Sequence, residues 1–290
     1  MPLLDVHGQP VNVIDRGEGE ALVFLHAFPL QAAMWDYQID ALDGSHRCIA
    51  IDMPGFGQSP PPEAPDAASM QAWAGLVVGV LDQLGVETAT FVGASMGGYL
   101  AMALLRHHPD RVHQLVLADS RARSDDPGVA QRRSAQQDRL REGTEVEVLS
   151  KEVVEGLLSS GSMSRSDLVE YVHALAAGAD AEGWIAALEA MKDRPDSMLL
   201  LRRADVRALV LVGELDRVTP IAEAMSLRSL LKGELVVVPN VGHLPNVEDP
   251  LAFNEALLSF LGVPAASDDA AAAAPDGAAA DGVGDEVAPA

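Results

Sequence analysis

Strand and helix patterns alternate along most of this chain, and this alternation constrains the fold more than any other feature. The apolar runs at residues 21–25, 47–51 and 89–92 have the length and composition of strands buried on both faces. Between them stand segments with apolar residues at helical spacing, such as residues 70–84. Strands that alternate with helices pair in parallel through right-handed crossovers. The sequence therefore predicts an α/β fold with a mostly parallel central sheet flanked by helices.

The alternation stops in the middle of the chain. From residue 121 to residue 203 no strand pattern appears, and helical periodicity dominates. Strand patterns return at 209–212 and 235–238. We therefore expect one core built from residues 1–120 and 204–263, with a helical cap of residues 121–203 inserted after the sixth strand.

The last segment, residues 264–290, consists mainly of Ala, Asp, Gly and Pro and contains no aromatic residue. Such a composition cannot bury enough surface to offset the entropy of ordering, so we predict a disordered acidic tail. Its acids contribute to a formal net charge of −23. That charge disfavours nucleic acids and anionic membrane surfaces as partners, because both require cationic patches.

The sequence shows no targeting or membrane-spanning pattern. It contains no apolar run of about 18 residues, and its first residues lack a basic segment followed by an apolar one. The single cysteine, Cys48, cannot form an internal disulfide and suits a reducing compartment. These features predict a cytoplasmic monomer or homodimer that acts on a small molecule and not at a membrane.

A candidate nucleophile stands between a strand pattern and a helix pattern. Residues 93–97, G-A-S-M-G, form a G-x-S-x-G motif directly after the strand predicted at 89–92. A nucleophile at the tip of such a tight turn holds strained dihedral angles, and side chains two positions away would collide there. Glycine at both positions removes the collision. The context therefore favours Ser95 as a catalytic nucleophile.

A serine nucleophile needs a general base and an acid that orients the base. His243 follows the last predicted strand on a glycine-containing loop, from which it can reach the carboxyl edge of the sheet. Asp216 follows the strand at 209–212 and completes the chain order Ser, Asp, His. Asp119 also ends a predicted strand and is the alternative acid, whereas Glu214 stands too close to its strand to reach the base.

An oxyanion hole is expected from two backbone amides. One is that of Met96, the residue after the nucleophile, and the other is that of Phe28, in the turn after the strand at 21–25. Donors of this kind contribute about 3–4 kcal/mol to transition-state stabilisation. His26, in the same turn, is interpreted as a structural histidine that braces the turn.

Together these motifs resemble the α/β-hydrolase superfamily. The order Ser, Asp, His is accompanied by an early His-x-Phe-Pro turn at residues 26–29. Residues 52–59, D-M-P-G-F-G-Q-S, are similar to the family's D-x-P-G-x-G-x-S loop. The resemblance covers residues 3–262 and is nearest to 3-oxoadipate enol-lactonase-like and pimeloyl-carrier-protein methyl esterase-like enzymes. Ala27 is a departure, because the family usually has Gly there.

The resemblance implies an α/β-hydrolase fold and a serine esterase or lactonase that cleaves a small to medium acyl substrate through an acyl-serine intermediate. It implies no cofactor, and the sequence has no metal-ligand cluster, P-loop or dinucleotide motif. Serine at the elbow argues against dehalogenase and epoxide hydrolase chemistry, which uses a carboxylate there. A carbon–carbon bond hydrolase, a cofactor-free perhydrolase and a ligand receptor with a retained triad remain alternatives.

The substrate pocket is expected between the sheet and the cap. Its predicted lining consists of large, mainly apolar side chains: Trp35 and Tyr99 near the sheet, and Met163, Tyr171, Trp184 and Leu188 from the cap. This lining suits an acyl chain. Helical periodicity is also consistent with packing of the cap residues against one another.

Overall fold

The computed structural model describes residues 3–263, so the predicted tail at 264–290 lies outside the described residues. Strands are found at β1 Leu4–Val6, β2 Gln9–Val11, β3 Val13–Arg16, β4 Ala21–Leu25, β5 Arg47–Ile51, β6 Ala89–Ala94, β7 Val112–Ala118, β8 Arg207–Gly213 and β9 Glu234–Val238. β1 and β2 form a separate antiparallel hairpin, and the other strands form one sheet.

The helices are α1 Asp36–Leu42, α2 Met70–Gln83, α3 Met96–His107, α4 Pro127–Arg141, α5 Val146–Leu157, α6 Ser166–Ala177, α7 Ala181–Lys192, α8 Met198–Arg203, α9 Ile221–Leu231, α10 Pro245–Glu248 and α11 Pro250–Leu261. Short 3-10 helices occur at Ala32–Trp35, Pro65–Ala67, Pro109–Arg111 and Ser162–Ser164. Within the described part of the chain, no helix combines the length and the apolar character that crossing a membrane requires.

The central sheet has seven strands in the order β3-β5-β4-β6-β7-β8-β9. Every neighbouring pair is parallel except β3 with β5 at one edge. The chain moves outward from β4 to β5 and then returns to the other side of β4 with β6, so the strand order reverses between β4 and β6. Ligands of open parallel sheets bind outside the carboxyl ends of the strands at such a reversal.

Successive residues of the central strands point to opposite faces of the sheet. In β4, Val23 and Leu25 join an apolar cluster that includes residues of α2, α3 and α9, whereas Leu22 and Phe24 join a cluster with α1 and α11. Both faces are therefore covered by helices, which explains why the strands appear in the sequence as continuous apolar runs. The predicted α/β fold with a mostly parallel sheet is confirmed.

Helices α4 to α8 occupy the segment between β7 and β8 where the cap is expected. This insertion follows β7, after which the cap is expected; β7 is seventh along the chain because two short strands, β2 and β3, form near residue 12 where one is expected. β2 and β3 are separated by Asn12, whose amide donates to Ser59 Oγ at 2.8 Å and whose side chain donates to Asp52 at 2.8 Å. Because Asn12 bonds to a loop, the residues before it pair with β1 and those after it pair with β5.

Candidate active site

Ser95 occupies a strained turn between β6 and α3. Its φ and ψ angles are 52° and −110°, outside the regions that residues with side chains favour. Its amide donates to the carbonyl of Ala118 at 2.8 Å, which ties the turn to the end of β7. The helix that follows begins at Met96, immediately after Ser95.

The two glycines of the motif stand where no side chain fits. A Cβ atom on Gly93 would overlap the carbonyl group of Gly97, and one on Gly97 would overlap the carbonyl group of Leu25 in β4. The turn therefore packs directly against its own helix and against the neighbouring strand. This crowding is the physical reason for glycine two positions before and after Ser95.

The structure brings Ser95, His243 and Asp216 into one hydrogen-bonded chain. Nε2 of His243 lies 2.8 Å from Ser95 Oγ, and Nδ1 of His243 lies 2.8 Å from Asp216 Oδ2. All three residues are buried. When the Nδ1 proton is donated to Asp216, Nε2 is left as an acceptor for the hydroxyl proton of Ser95.

Hydrogen bonds from its own loop hold the Asp216 carboxylate. Oδ1 accepts the amides of Val218 at 2.7 Å and Thr219 at 3.1 Å, and Oδ2 accepts the Thr219 hydroxyl at 2.5 Å. Burial acts to raise the pKa of Asp216, but attraction to protonated His243 and these hydrogen bonds outweigh it and lower the pKa to about 2. Asp216 is therefore ionised at neutral pH.

The two backbone amides expected to form an oxyanion hole are those of Phe28 and Met96. Within residues 3–263, the amides of Phe28 and Met96 donate to no other group. Met96 is the first residue of α3, so its amide belongs to the positive end of the helix. Phe28 follows β4, the strand that neighbours β6. The Phe28 and Met96 amides are the two donors predicted from the sequence.

The turn that carries Phe28 is braced from within. His26 donates from Nδ1 to the carbonyl of Ala27 at 3.0 Å and accepts the amide of Met53 at Nε2 at 3.1 Å. Burial lowers the pKa of His26, and the two bonds require its neutral form. His26 thus has the structural role expected of it. Ala27 is buried and has no positive φ, so its methyl group adds no backbone strain.

One group of side chains has the composition of a metal site. Donor atoms of Asp119, Asp216 and His243 lie within 4.8 Å of one another. Both ring nitrogens of His243 and both carboxylate oxygens of Asp216 already take part in hydrogen bonds. We therefore assign these atoms to the Ser95–His243–Asp216 chain and not to a metal or cofactor.

A family model described as "alpha/beta hydrolase fold" matches residues 20–250 of this chain. The chain belongs to the alpha/beta hydrolase family. It is 30% identical over 243 residues to 3-oxoadipate enol-lactonase 2 of Acinetobacter baylyi, a match that covers 83% of this chain and 88% of the relative. It is 29% identical over 271 residues to the pimeloyl-[acyl-carrier protein] methyl ester esterase of Aeromonas hydrophila, covering 87% and 99%.

Solved structures of the alpha/beta hydrolase family have the same architecture. A thermophilic esterase from Thermogutta terrifontis matches with a TM-score of 0.84 and 32% sequence identity, covering 88% of this chain and 93% of that one. The superfamily resemblance inferred from the motifs is confirmed. Family membership and these relatives support hydrolase activity.

Three of the predicted pocket residues lie on one face of the sheet. Tyr99, Trp184 and Leu188 belong to the same buried cluster as Phe28 and Met96. The Trp184 ring stands edge-on to the Phe28 ring, with 4.6 Å between centroids. Its indole Nε1 is buried and has no partner within the described residues. Helix α7 of the cap therefore meets the turn that carries the Phe28 amide.

Trp35 does not lie on that face, and its prediction as a substrate contact is corrected. Its ring is fully buried on the opposite side of the sheet, with centroid distances of 5.3 Å to Phe24 and 6.0 Å to Phe253. Apolar periodicity identifies a buried position but not the face of the sheet on which that position will be buried.

Two cap residues of the predicted lining also have other surroundings. Tyr171 packs against Tyr37, with 6.1 Å between ring centroids, and its hydroxyl donates to the carbonyl of Ala33 at 3.1 Å. Met163 is exposed. Tyr171 therefore fastens α6 to the segment before α1, and Met163 faces solvent. Tyr171 packs against the other face of the sheet from Tyr99 and Trp184 and is corrected as a pocket residue, whereas Met163 stays a prediction.

A cavity of about 390 Å³ lies beside α3, and its lining includes Tyr99, Met102, Arg121 and Arg194. The Arg194 guanidinium stands over the Tyr99 ring at 3.9 Å from its centroid. Neither Ser95 nor His243 lines this cavity. We therefore do not assign it to the hydrogen-bonded chain of Ser95.

Glu248, which no sequence motif marks, braces the loop that carries His243. Its Oε1 accepts the amides of Gly242 at 2.9 Å and Leu244 at 3.3 Å, on either side of His243. Its Oε2 accepts the amide of Ser159 in the cap at 3.0 Å. The only sequence signal is an acid five residues after a histidine, which is too common to identify a brace.

Glu248→Gln is expected to lower both stability and activity. The amide keeps one acceptor oxygen but presents N–H groups to a backbone amide, so at least one buried donor loses its partner at a cost of about 1–3 kcal/mol. We expect the melting temperature to fall by about 3–10 °C and kcat to fall by about 10- to 100-fold, because His243 is less well placed. Thermal unfolding and ester hydrolysis measure the two effects.

Glu255→Gln is the matched control for this substitution, because Glu255 is an exposed acid on α11. It should leave both quantities within experimental error. If the Glu248 variant behaves like this control, the position of the loop that carries His243 does not depend on the hydrogen bonds to Glu248.

Proposed function

We propose that this protein is a serine hydrolase that cleaves carboxylic esters or lactones of small to medium acyl groups through an acyl-serine intermediate. The observation that carries the proposal is the chain from Ser95 Oγ through His243 to Asp216, with 2.8 Å at both steps. Relatives named as an enol-lactonase, a methyl ester esterase and an esterase support the same class of substrate.

In the acylation step, Ser95 Oγ attacks the carbonyl carbon of the substrate and His243 Nε2 takes the hydroxyl proton. The imidazolium that forms is stabilised by Asp216, whose lowered pKa keeps it ionised. Collapse of the tetrahedral intermediate breaks the bond to the leaving alcohol, which receives the proton from His243. In a lactone this alcohol remains attached to the acyl group.

The free amides of Phe28 and Met96 receive the negative oxygen of the tetrahedral intermediate. They are fixed by β4 and by the start of α3, so they need no rearrangement as the charge develops. Deacylation repeats the sequence with water as the nucleophile: His243 takes a water proton, and the acyl–Ser95 bond breaks to give the acid and free serine. No step requires a cofactor.

The acyl group would extend along the face that carries Tyr99, Trp184 and Leu188. These buried side chains of α3 and α7 belong to one apolar cluster with Phe28 and Met96, which we call the apolar wall. An apolar wall favours a hydrocarbon acyl group over a charged one next to the reacting carbonyl. Because Trp184 and Leu188 are fully buried, little open volume stands beside them, and we expect a preference for short and medium chains.

Hydrolysis of p-nitrophenyl esters from acetate to decanoate tests the proposal, together with labelling of Ser95 by a fluorophosphonate. We expect turnover with an optimum at short or medium chain length, and labelling that the Ser95→Ala variant lacks. Labelling without turnover of any ester or lactone would redirect the assignment to carbon–carbon bond hydrolysis or perhydrolysis, assayed with a vinylogous diketone or with peroxide and acetate. Absence of both would contradict a serine hydrolase and favour a ligand receptor.

A further inference from the structure

Asp119 is a buried acid that the mechanism above does not use. It follows β7 and is held in a left-handed conformation with a φ of 46°. Its amide donates to the carbonyl of Leu211 at 3.0 Å, and its Oδ1 accepts the amide of Gly213 at 2.9 Å. Asp119 is thus hydrogen-bonded to the end of β8, immediately before the loop that carries Asp216.

The second carboxyl oxygen of Asp119 faces another acid. Within residues 3–263, Oδ2 is buried and accepts no N–H or hydroxyl donor, while carboxylate oxygens of Asp119 and Asp216 lie within 4.8 Å of each other. Two carboxylate oxygens are both acceptors, so they attract each other only when one of them carries a proton. A proton on one of the two acids would therefore replace repulsion between them by a hydrogen bond.

The charges around Asp119 indicate which acid holds that proton. Its neighbours include the negative groups Asp216 and Glu248, and the basic group of the cluster, His243, bonds directly to Asp216. Asp216 is stabilised as an anion by His243 and Thr219, whereas Asp119 has the single amide of Gly213. An ionised Asp119 would be a second buried negative charge with one donor.

We propose that Asp119 is a positioning residue that remains a neutral carboxylic acid and donates its Oδ2 proton to the carboxylate of Asp216. Burial and the negative charge of Asp216 raise the pKa of Asp119 well above its usual value, in agreement with this geometry. The role rests on the proposed function, because it fixes the acid that orients His243. With Asp119 neutral, Asp216 carries the one negative charge opposite the imidazolium of His243.

Two substitutions test whether a hydrogen-bond donor at the Oδ2 position of Asp119 is needed, independently of the charge of the carboxyl group. Asp119→Asn keeps an N–H donor at the position of Oδ2, and asparagine tolerates a positive φ. Asp119→Gly accepts the same backbone conformation and removes the side chain. We expect kcat to stay within about three-fold in the Asn variant and to fall by about 10- to 100-fold in the Gly variant, with KM changed little in both.

The pH profile of kcat/KM tests the charge state. If Asp119 is neutral, the acidic limb in the Asn variant should stay within about 0.3 pH unit of its original position. If Asp119 is ionised, its loss removes a buried negative charge near His243 and should move that limb down by about 1 pH unit or more. That result, or a loss of kcat in Asn equal to that in Gly, would overturn the proposal. Full activity of the Gly variant would overturn it as well.

Thermal unfolding provides a test that needs no catalysis. A pKa raised in the folded state means that the folded protein keeps a proton that the unfolded chain loses above about pH 4. The contribution of Asp119 to stability is therefore complete below pH 4 and declines as pH rises towards the folded-state pKa. Asparagine does not titrate, so the melting temperature of Asp119→Asn relative to the unsubstituted protein should increase by about 2–4 °C per pH unit above pH 5.

Glu214→Gln is the control for this measurement, because Glu214 is an exposed acid of the neighbouring loop whose Oε2 accepts the amide of Asn240. Its melting-temperature difference should be nearly constant over the same pH range. A constant or falling difference for Asp119→Asn would show an ionised Asp119 and overturn the proposal, whether or not the protein hydrolyses esters. An increasing difference without ester hydrolysis would instead contradict only the proposed function.

Discussion

Replacing Ser95 with Ala is expected to lower kcat for ester hydrolysis by about 10⁴- to 10⁶-fold. The substitution removes the only atom that can form the acyl-enzyme, while the amides of Phe28 and Met96 and the apolar wall remain. Residual activity should therefore come from attack by water in the same site, at a rate above that of the uncatalysed reaction. The measurement is the hydrolysis of the preferred p-nitrophenyl ester, with active-site labelling in parallel.

The fold of the Ser95→Ala variant should be preserved. Alanine differs from serine by one oxygen and accepts the same strained turn no worse, so the melting temperature should change by only a few degrees. Ser164→Ala, at an exposed cap position, is the matched control and should keep full activity. Ester hydrolysis by the Ser95 variant at more than a few per cent of the original rate would rule out Ser95 as the nucleophile.

Replacing Asp216 with Asn should lower kcat by about 10³- to 10⁴-fold with little change in KM. An amide at this position no longer carries the charge that opposes the imidazolium, and its nitrogen favours the His243 tautomer that cannot accept the Ser95 proton. The effect is thus on the reacting state and not on substrate binding. Steady-state kinetics with one ester over a range of pH values measures it.

The Asp216 substitution also shows whether Asp216 or Asp119 is the acid that orients His243. Glu214→Gln, in the same loop, should leave kcat within about two-fold because Glu214 is exposed and bonds to Asn240. Activity above a tenth of the original in Asp216→Asn, lost when Asp119 is also changed to Asn, would mean that Asp119 replaces Asp216 as the orienting acid. Activity retained in that double variant would contradict the role of both.

The positions of Ser95, Asp216 and His243 were predictable because each residue follows a strand. Parallel strands end at the same edge of the sheet, so the loops that carry Ser95, Asp216 and His243 have to meet there once the topology is known. The glycines around Ser95 were a further signal, because only a crowded turn requires them at that spacing. The strand that leads into each loop was readable as a continuous apolar run.

The surroundings of the three residues were less predictable. Trp35 is as apolar as Trp184, and sequence periodicity does not distinguish the face of the sheet on which each is buried. Helix α4 lacks an apolar stripe, since its buried residues are only Gln137 and Leu140, so no period of 3.6 marks it. The contacts of Glu248 and Asp119 depend on loops that are distant in sequence, which local patterns do not encode.

The bonds between the His243 loop and the cap limit how freely caps can be exchanged among relatives. The amide of His243 donates to the carbonyl of Leu157 at 2.7 Å, and Arg165 donates to the carbonyl of Glu248 at 2.9 Å. A chimaera with a foreign cap would keep these bonds only where its backbone follows the same path and where it carries a donor in place of Arg165. Residues 157–165 and 242–248 are therefore structurally coupled, and a graft intended to change specificity has to transfer both segments together.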